Sequence, residues 1–230
     1  ERRANQGKTD FLSRMSHDMR TPLNGIIGLL EICGAHPENR ELVDSSRAKA
    51  KIAANHLLSL INDTLELSKL ENKSVPLYEE VFFLPGLANE LETIAQMRAE
   101  KGGIAFSLEV PEGFCNPYLV GSPLYLQQIF LNLVTNAVKY NYDGGSVHCA
   151  LSEERQAEGV SLVTLVVSDT GIGMSEEFIE NIFKPFVQAD HGPRSTYMGT
   201  GLGMAIVKNL VDRMGGTIAI ESKVGQGTRI

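Results

Sequence analysis

The 230 residues include no tryptophan and only three cysteines, Cys33, Cys115 and Cys149. Widely spaced thiols, odd in number and without a C-x-x-C pair, argue against a disulfide framework and offer no zinc site. Reduced, unreactive thiols in a cytoplasmic chain are the expectation. Positive charge is also scarce: 21 Lys and Arg face 28 Asp and Glu, a formal net charge of -7. A general nucleic-acid binder needs a basic face, so no nucleic-acid partner is expected. A few local donors can still hold a phosphate chain within an acidic surface. No apolar run is long enough to cross a bilayer and no signal peptide opens the chain, so a membrane would be reached only through regions outside this sequence. The start, Glu1-Arg2-Arg3-Ala4-Asn5, reads as the inside of a charged helix. The end, Thr228-Arg229-Ile230, reads as the beginning of a strand. Both are expected to be cuts within a longer chain, with the last strand truncated.

What is present first is helical periodicity. Leu12, Met15, Met19, Leu23, Ile26, Leu30 and Cys33 recur at steps of three and four, one apolar stripe on a helix. Turn residues at 34–39 interrupt it. A second stripe follows with Leu42, Lys49, Ala53, Leu57, Leu60, Thr64, Leu67 and Leu70. Two long helices with a short turn make an antiparallel hairpin that exposes too much apolar surface alone. Pairing two copies into a four-helix bundle is the natural solution, so a homodimer is expected. Pro22 sits inside the first helix, frees the carbonyl of Asp18, and should bend the helix beside His17.

Residues 71–76 read as a linker, which divides the chain into a helical domain over 1–74 and a mixed domain over 75–230. In the second, strands are expected at 81–84, 104–110 and 118–120, and a helix at 86–100 stopped by Gly102-Gly103. Pro123 opens a strong helix to about Tyr140. Residues 146–151 and 162–167 read as hairpin strands around a 153–159 loop. A short helix at 175–183, a loop at 188–198, a helix at 203–214 and a strand at 217–222 complete the pattern. This order predicts an α/β sandwich with helices on one face of a mixed sheet.

Three segments carry candidate chemistry. On the helix after Pro123, Gln128, Asn132 and Asn136 form a polar stripe at steps of four, continued by Lys139 and Tyr140. Its opposite face, Ile129, Phe130, Leu133, Val134 and Ala137, is apolar. A carboxamide oxygen is a hard neutral ligand suited to Mg²⁺, and Lys139 can meet phosphate as a point charge. Two asparagines on a solvated helix are the plainer reading. Next, Asp169-Thr170-Gly171-Ile172-Gly173-Met174 follows a strand end. A carboxylate there can accept from an exocyclic amine such as that of adenine, and the glycines let backbone approach a planar ring. Third, Gly199-Thr200-Gly201-Leu202-Gly203 opens the last helix, where backbone N–H groups and the helix dipole favour an anion. The Gly7-Lys8-Thr9 triplet is no P-loop, since it lacks the upstream glycine and a preceding strand.

The order asparagine helix, D-T-G-I-G, I-F-K-P-F, G-T-G-L-G resembles the ATP-binding domain of the histidine kinases. The segment from Phe11 through His17-Asp18-Met19-Arg20-Thr21-Pro22 to Asn24 is similar to that family's phosphoacceptor box. Together these motifs cover nearly the whole chain. The resemblance implies a fold with a helical hairpin that dimerises, followed by an α/β sandwich of the histidine kinase and related ATPase type. It implies an ATP-dependent sensor kinase of two-component signalling that phosphorylates His17 and passes the group to an aspartate of a response-regulator receiver domain. Dephosphorylation of that receiver is a further implied activity, and a receiver on the same chain stays open. By the same resemblance, Asn136 coordinates Mg²⁺ with Asn132 assisting, Lys139 touches phosphates and Tyr140 lies near the nucleotide. Asp169, with Gly171 and Gly173 beside it, binds adenine. Phe183 and Phe186 anchor a lid over 187–198 that carries Arg194, and Gly199, Thr200, Gly201, Leu202 and Gly203 cradle phosphate.

Asp18 could take the proton of the second ring nitrogen of His17. Thr21, one turn on, has two readings of equal weight: a water-positioning group for dephosphorylation, or a side chain bonding to its own helix. The chain departs from the family pattern at Ser122-Pro123, Tyr125, Gln127 and Met198, and Arg194 is displaced by about one position. Two other readings remain: another ATPase of the same sandwich class, whose water-activating glutamate is replaced here by Asn132, and a dimeric scaffold that binds nucleotide without transfer. His36, His56, His148 and His191 lack ligand-like spacing.

Overall fold

The computed structural model describes residues 2–71, 79–188 and 200–230. The expected linker residues 72–76, and most of the expected lid with Arg194, Met198 and Gly199, lie outside the described residues. The chain divides into two compact units, Glu1–Lys69 with Pro185–Leu202, and Leu70–Lys184 with Gly203–Ile230.

The first unit is built on α1 (Arg2–Ala35) and α2 (Arg40–Glu71). Asn39 starts α2 by accepting from Leu42 N at 3.1 Å, which satisfies an amide the helix itself cannot pair. Cys33 Sγ reaches Val43 O at 3.7 Å, so the two helices touch directly after the turn. Val43, Ala50 and Leu60 are buried, as are Ser46 and Thr64. Helix α1 continues through Pro22, which is itself buried. Leu23, Ile27, Leu30, Ile52, Leu58 and Leu65 stay exposed, far more apolar surface than a lone hairpin tolerates in water.

The second unit is an α/β sandwich. Strands β1 (Glu80–Phe83) and β3 (Tyr118–Gly121) form a two-stranded antiparallel sheet, with α3 (Leu84–Lys101) and β2 (Ala105–Glu109) between them in sequence. Helix α4 (Pro123–Lys139) follows, then β4 (Ser146–Ala157), β5 (Val160–Asp169), α5 (Glu176–Ile179), α6 (Gly203–Arg213), β6 (Glu221–Lys223) and β7 (Gly227–Arg229). The main sheet has the order β2-β4-β5-β7-β6. Only β2 and β4 run parallel among its pairs. Helices α3, α4 and α6 pack together, with α3 against β2 and α4 against β4 and β5. Ala88, Leu91, Ala95 and Ala99 line the buried face of α3, and small side chains there let the helix approach closely. Val147, Cys149 and Val167 meet the helices from the sheet.

Three boundaries differ from the sequence expectation. Helix α3 begins two residues earlier, because Pro85 sits in the first turn, where a missing N–H costs nothing. Strands β4 and β5 run on through the expected loop at 153–157 and turn at Gly159, whose φ is 74°. Glu153 secures that extension: its carboxylate accepts from Cys115 N at 2.7 Å, Asn116 N at 3.2 Å and the Ser161 hydroxyl. These bonds, that of Ser161 foremost, hold its carboxyl below the usual range. The expected strand at 217–222 is confined to β6, because β7 offers partners only for residues 221–223. Among the described residues no helix is long and apolar enough to cross a membrane.

Cys115 is exposed, whereas burial pushes the Cys149 thiol up to about 12. Alkylation of the native protein at pH 8 is expected to modify Cys115 readily and Cys149 only on unfolding. Equal rates, read by mass spectrometry of the labelled peptides, would contradict the packing of the inner face of β4.

Candidate functional site

On α1, the His17 side chain is 79% exposed, and its Nδ1 lies 3.2 Å from Asp18 Oδ1. A carboxylate only accepts, so Nδ1 carries the proton and the Nε2 lone pair faces outward. Thr21 Oγ1 donates to the His17 carbonyl at 3.2 Å. That is the helix-bonding reading of Thr21.

In the second unit, α4 is split lengthwise. Ile129, Phe130, Leu133, Val134 and Ala137 are buried, which leaves Asn132 and Asn136 half-buried on the other side. Neither carboxamide hydrogen-bonds another group among the described residues. Lys139 Nζ donates to Tyr140 Oη at 3.0 Å and stands 4.6 Å from the centre of its ring. A Cβ on Gly203, the first residue of α6, would stand 3.7 Å from Asn132 Oδ1. That is an ordinary contact distance, so the start of α6 lies beside the Asn132 amide.

Asp169 ends β5. Its Oδ1 accepts from Gly171 N at 2.8 Å, and the backbone N–H of Thr228 also reaches the carboxylate. Burial nevertheless raises its pKa above the ordinary value. The glycines beside it make room for protein backbone. A Cβ on Gly171 would lie 2.2 Å from Tyr140 O, and one on Gly173, whose φ is 65°, would lie 2.0 Å from Lys223 O. Ile172 N donates to Tyr140 O at 3.0 Å, so the loop after β5 is pressed on the end of α4.

Residues 186 and 200–202 are described within the first unit. Phe186 has φ 64° and donates its N–H to Gly201 O at 3.0 Å. A non-glycine residue in the left-handed region is costly, and this one is held there by a close approach. Gly201 has φ 68°, and a Cβ on it would lie 2.8 Å from the Phe186 Cα. Thr200 Oγ1 accepts from Leu202 N at 3.2 Å and its side chain also hydrogen-bonds Asp63. Leu202 is fully buried.

Sequence reasoning passed over Asn141, which is 6% exposed. Its side chain joins the end of α4 to Ser146 and Thr170. A polar residue directly after an amphipathic helix and before D-G-G was the available signal. Among the described residues no three His, Cys, Asp or Glu side chains converge as metal ligands. His148 instead bonds Ser107 Oγ at 3.0 Å across the β2–β4 ladder. The oxygen donors of α4 are neutral amides, a set that fits a hard cation already carrying phosphate oxygens rather than a free one.

Two family profiles match the chain. Residues 7–73 match the His Kinase A (phospho-acceptor) domain, and residues 121–230 match the histidine kinase-, DNA gyrase B- and HSP90-like ATPase. A similar curated relative is the autoinducer 2 sensor kinase/phosphatase LuxQ of Vibrio vulnificus strain CMCP6. It is 36% identical over 228 residues, which cover 96% of this chain and 26% of that protein. The chain thus spans about a quarter of the length of the curated relatives it matches. Full-length ShkA in complex with AMPPNP is similar in structure, with TM-score 0.68, 31% identity and coverage of 96% of this chain and 44% of that one. Histidine kinase ThkA, solved with response regulator protein TrrA, shares the fold at TM-score 0.75 and 21% identity, covering 100% of this chain and 62% of that one.

A raised carboxyl pKa means that the folded state binds the proton more tightly than the unfolded one. Its contribution to stability is present below the ordinary carboxylate range and is lost as pH rises through the folded value. Asp169→Asn removes this cost at neutral pH. The melting temperature at pH 7 is expected to rise. The gain should vanish near pH 3. A lower melting temperature at pH 7 would mean that the two backbone N–H bonds outweigh burial.

Proposed function

Because this chain belongs to the histidine kinases, carrying their phospho-acceptor region and their ATPase domain in one stretch, we propose that it is an ATP-dependent autokinase. Its acceptor is His17. The phospho-acceptor domain occupies residues 1–74 and the ATP-binding domain 75–230. The observation that carries this reading is the exposed His17 imidazole with its Nδ1 on the Asp18 carboxylate, in the same chain as the open carboxamides of α4 and the half-buried Asp169.

Asp169 accepts from the adenine amine at the floor of the site. Its half-buried setting makes a missing donor costly, which favours adenine over guanine. Asn136, with Asn132 beside it, holds Mg²⁺ through amide oxygen. The cation supplies neutralisation of the triphosphate's negative charge. Lys139 leaves Tyr140 for phosphate, a short move for a flexible stem. Gly199, Thr200, Gly201, Leu202 and Gly203 supply backbone N–H groups, and Arg194 a charge, on the family's pattern.

The chemistry is an in-line displacement. His17 Nε2 attacks the γ-phosphorus, the bond from that phosphorus to the β,γ-bridging oxygen breaks, and ADP leaves. The Nδ1 proton stays between imidazole and Asp18, which balances the positive charge gained by the ring. The phosphoryl group then passes to a carboxylate of a receiver domain, and the protein works as a phosphoprotein intermediate in a cytoplasmic relay. The exposed leucines and isoleucines of α1 and α2 support a homodimer joined through the hairpin. Dephosphorylation of the receiver is a second activity of the same hairpin, in line with the kinase/phosphatase name of the Vibrio relative.

Labelling with γ-³²P-ATP and Mg²⁺ is expected to give acid-labile, alkali-stable label that disappears in His17→Gln. Label surviving in that variant would mean a different acceptor. Asn136→Ala should lower the labelling rate by about 10²–10³ with the circular dichroism spectrum intact, as loss of a charge-stabilising group does. An unchanged rate would remove Asn136 from the metal.

A further inference from the structure

We propose that Asn141 is a positioning residue that sets Asp169 against the end of α4, and so governs selectivity for adenine. This rests on the nucleotide reading above and adds a residue to it.

Asn141 follows Tyr140, the residue that caps α4 at its C-terminal end. It is one of few buried polar residues among those described. Its amide makes three hydrogen bonds. Nδ2 donates to Ser146 O at 2.9 Å, while Oδ1 accepts from Tyr142 N at 3.0 Å and from Thr170 Oγ1 at 3.2 Å. Thr170 Oγ1 in turn accepts from Ser146 N at 2.9 Å, and Thr170 N donates to Ser146 O at 3.1 Å. The side chain therefore ties together the end of α4, the start of β4 and the residue directly after Asp169.

Main chain closes the other side. Ile172 N donates to Tyr140 O, and Gly171 N donates to Asp169 Oδ1. Asp169 is thus bracketed: Thr170 beside it is tied to Ser146 by main chain and to Asn141 by side chain, and Ile172 is tied to Tyr140 O. With Asn141 gone, Thr170 keeps its main-chain bond to Ser146 O but loses its side-chain tie to the end of α4, so the turn that carries Asp169 is set less firmly against that helix. Gly145 belongs to the same arrangement, because a Cβ there would meet Asn141 Oδ1 at 2.2 Å and Thr170 Oγ1 at 2.9 Å. Neither aspartate nor leucine replaces Asn141 without loss. Aspartate would set a carboxylate oxygen against Ser146 O, and leucine would leave the Thr170 hydroxyl and the Tyr142 amide without this acceptor.

A merely structural residue would lower melting temperature and weaken every nucleotide alike. A positioning residue acts through Asp169 and hence through the base. The test measures ATP and GTP dissociation constants for the chain, for Asn141→Ala, and for Thr170→Val, which keeps shape and removes the hydroxyl in case Asn141→Ala folds poorly. All are measured below their melting temperatures, alone and combined with Asp169→Asn. ATP is expected to weaken about tenfold in both single variants while GTP moves less than twofold, and the further loss in the Asp169→Asn background should fall below twofold. In autophosphorylation the change should appear in KM for ATP and not in the rate at saturation. Thr170→Ser, which keeps the hydroxyl, should restore ATP affinity. Equal weakening of ATP and GTP, or the same tenfold loss on top of Asp169→Asn, would overturn the proposal. A wild-type chain that binds ATP no better than GTP would instead overturn the underlying reading of Asp169.

Discussion

The second unit depends on one helix having two incompatible faces. Burying Ile129, Phe130, Leu133, Val134 and Ala137 fixes the rotation of α4 about its own axis. The four larger of these side chains, at roughly 1.5–3 kcal/mol each, leave no competing orientation. Once that rotation is set, Asn132 and Asn136 leave the helix on the side away from the core. The core therefore orients the chemistry, and the side chains of the polar face need no second support of their own.

Around that helix the backbone is packed against itself. The loop after β5 touches the C-terminal end of α4 at Tyr140 O and the β6–β7 turn at Lys223 O. Such contacts are stiff, since main chain has fewer ways to yield than a side chain. A carboxylate placed between them accepts from the backbone N–H groups of Gly171 and Thr228, which offset part of the cost of its burial. The phosphoacceptor histidine has the opposite setting. Its side chain stands largely exposed on α1, with its ring bonded to Asp18. A group that must be reached by more than one partner gains from that openness.

Much of this was legible in the chain. The stripes of α1 and α2, the two-faced α4, and the D-x-G-x-G after a strand were visible because each is a periodic or local signal. Asp169 could be singled out by type and neighbours, whereas His17 and Asp18 were marked by the resemblance of their segment to a phosphoacceptor box. What escaped is non-local. The purpose of Gly171 could not be read from the sequence, because the atom it avoids belongs to Tyr140, thirty-one positions earlier. Asn141 was passed over, since its partners Ser146 and Thr170 meet it only after the sheet has formed. The length of β4 was underestimated because Glu153, Glu154 and Arg155 look like loop. Pairing with β5 and the hold on Cys115 and Asn116 override that composition. The strand expected at 217–220 had the right alternation, but alternation does not supply a partner.

The glycines also separate two kinds of mutational history. Gly171, Gly173 and Gly227 each face a backbone oxygen at 2.0–2.2 Å from where a methyl would sit. Folding alone holds them, whatever the protein binds. Asn132, Asn136 and Lys139 project from a helix whose packing would survive their replacement. A gene copy released from its task would therefore erode at the asparagines and the lysine first, and would carry its glycines unchanged long after the activity had gone.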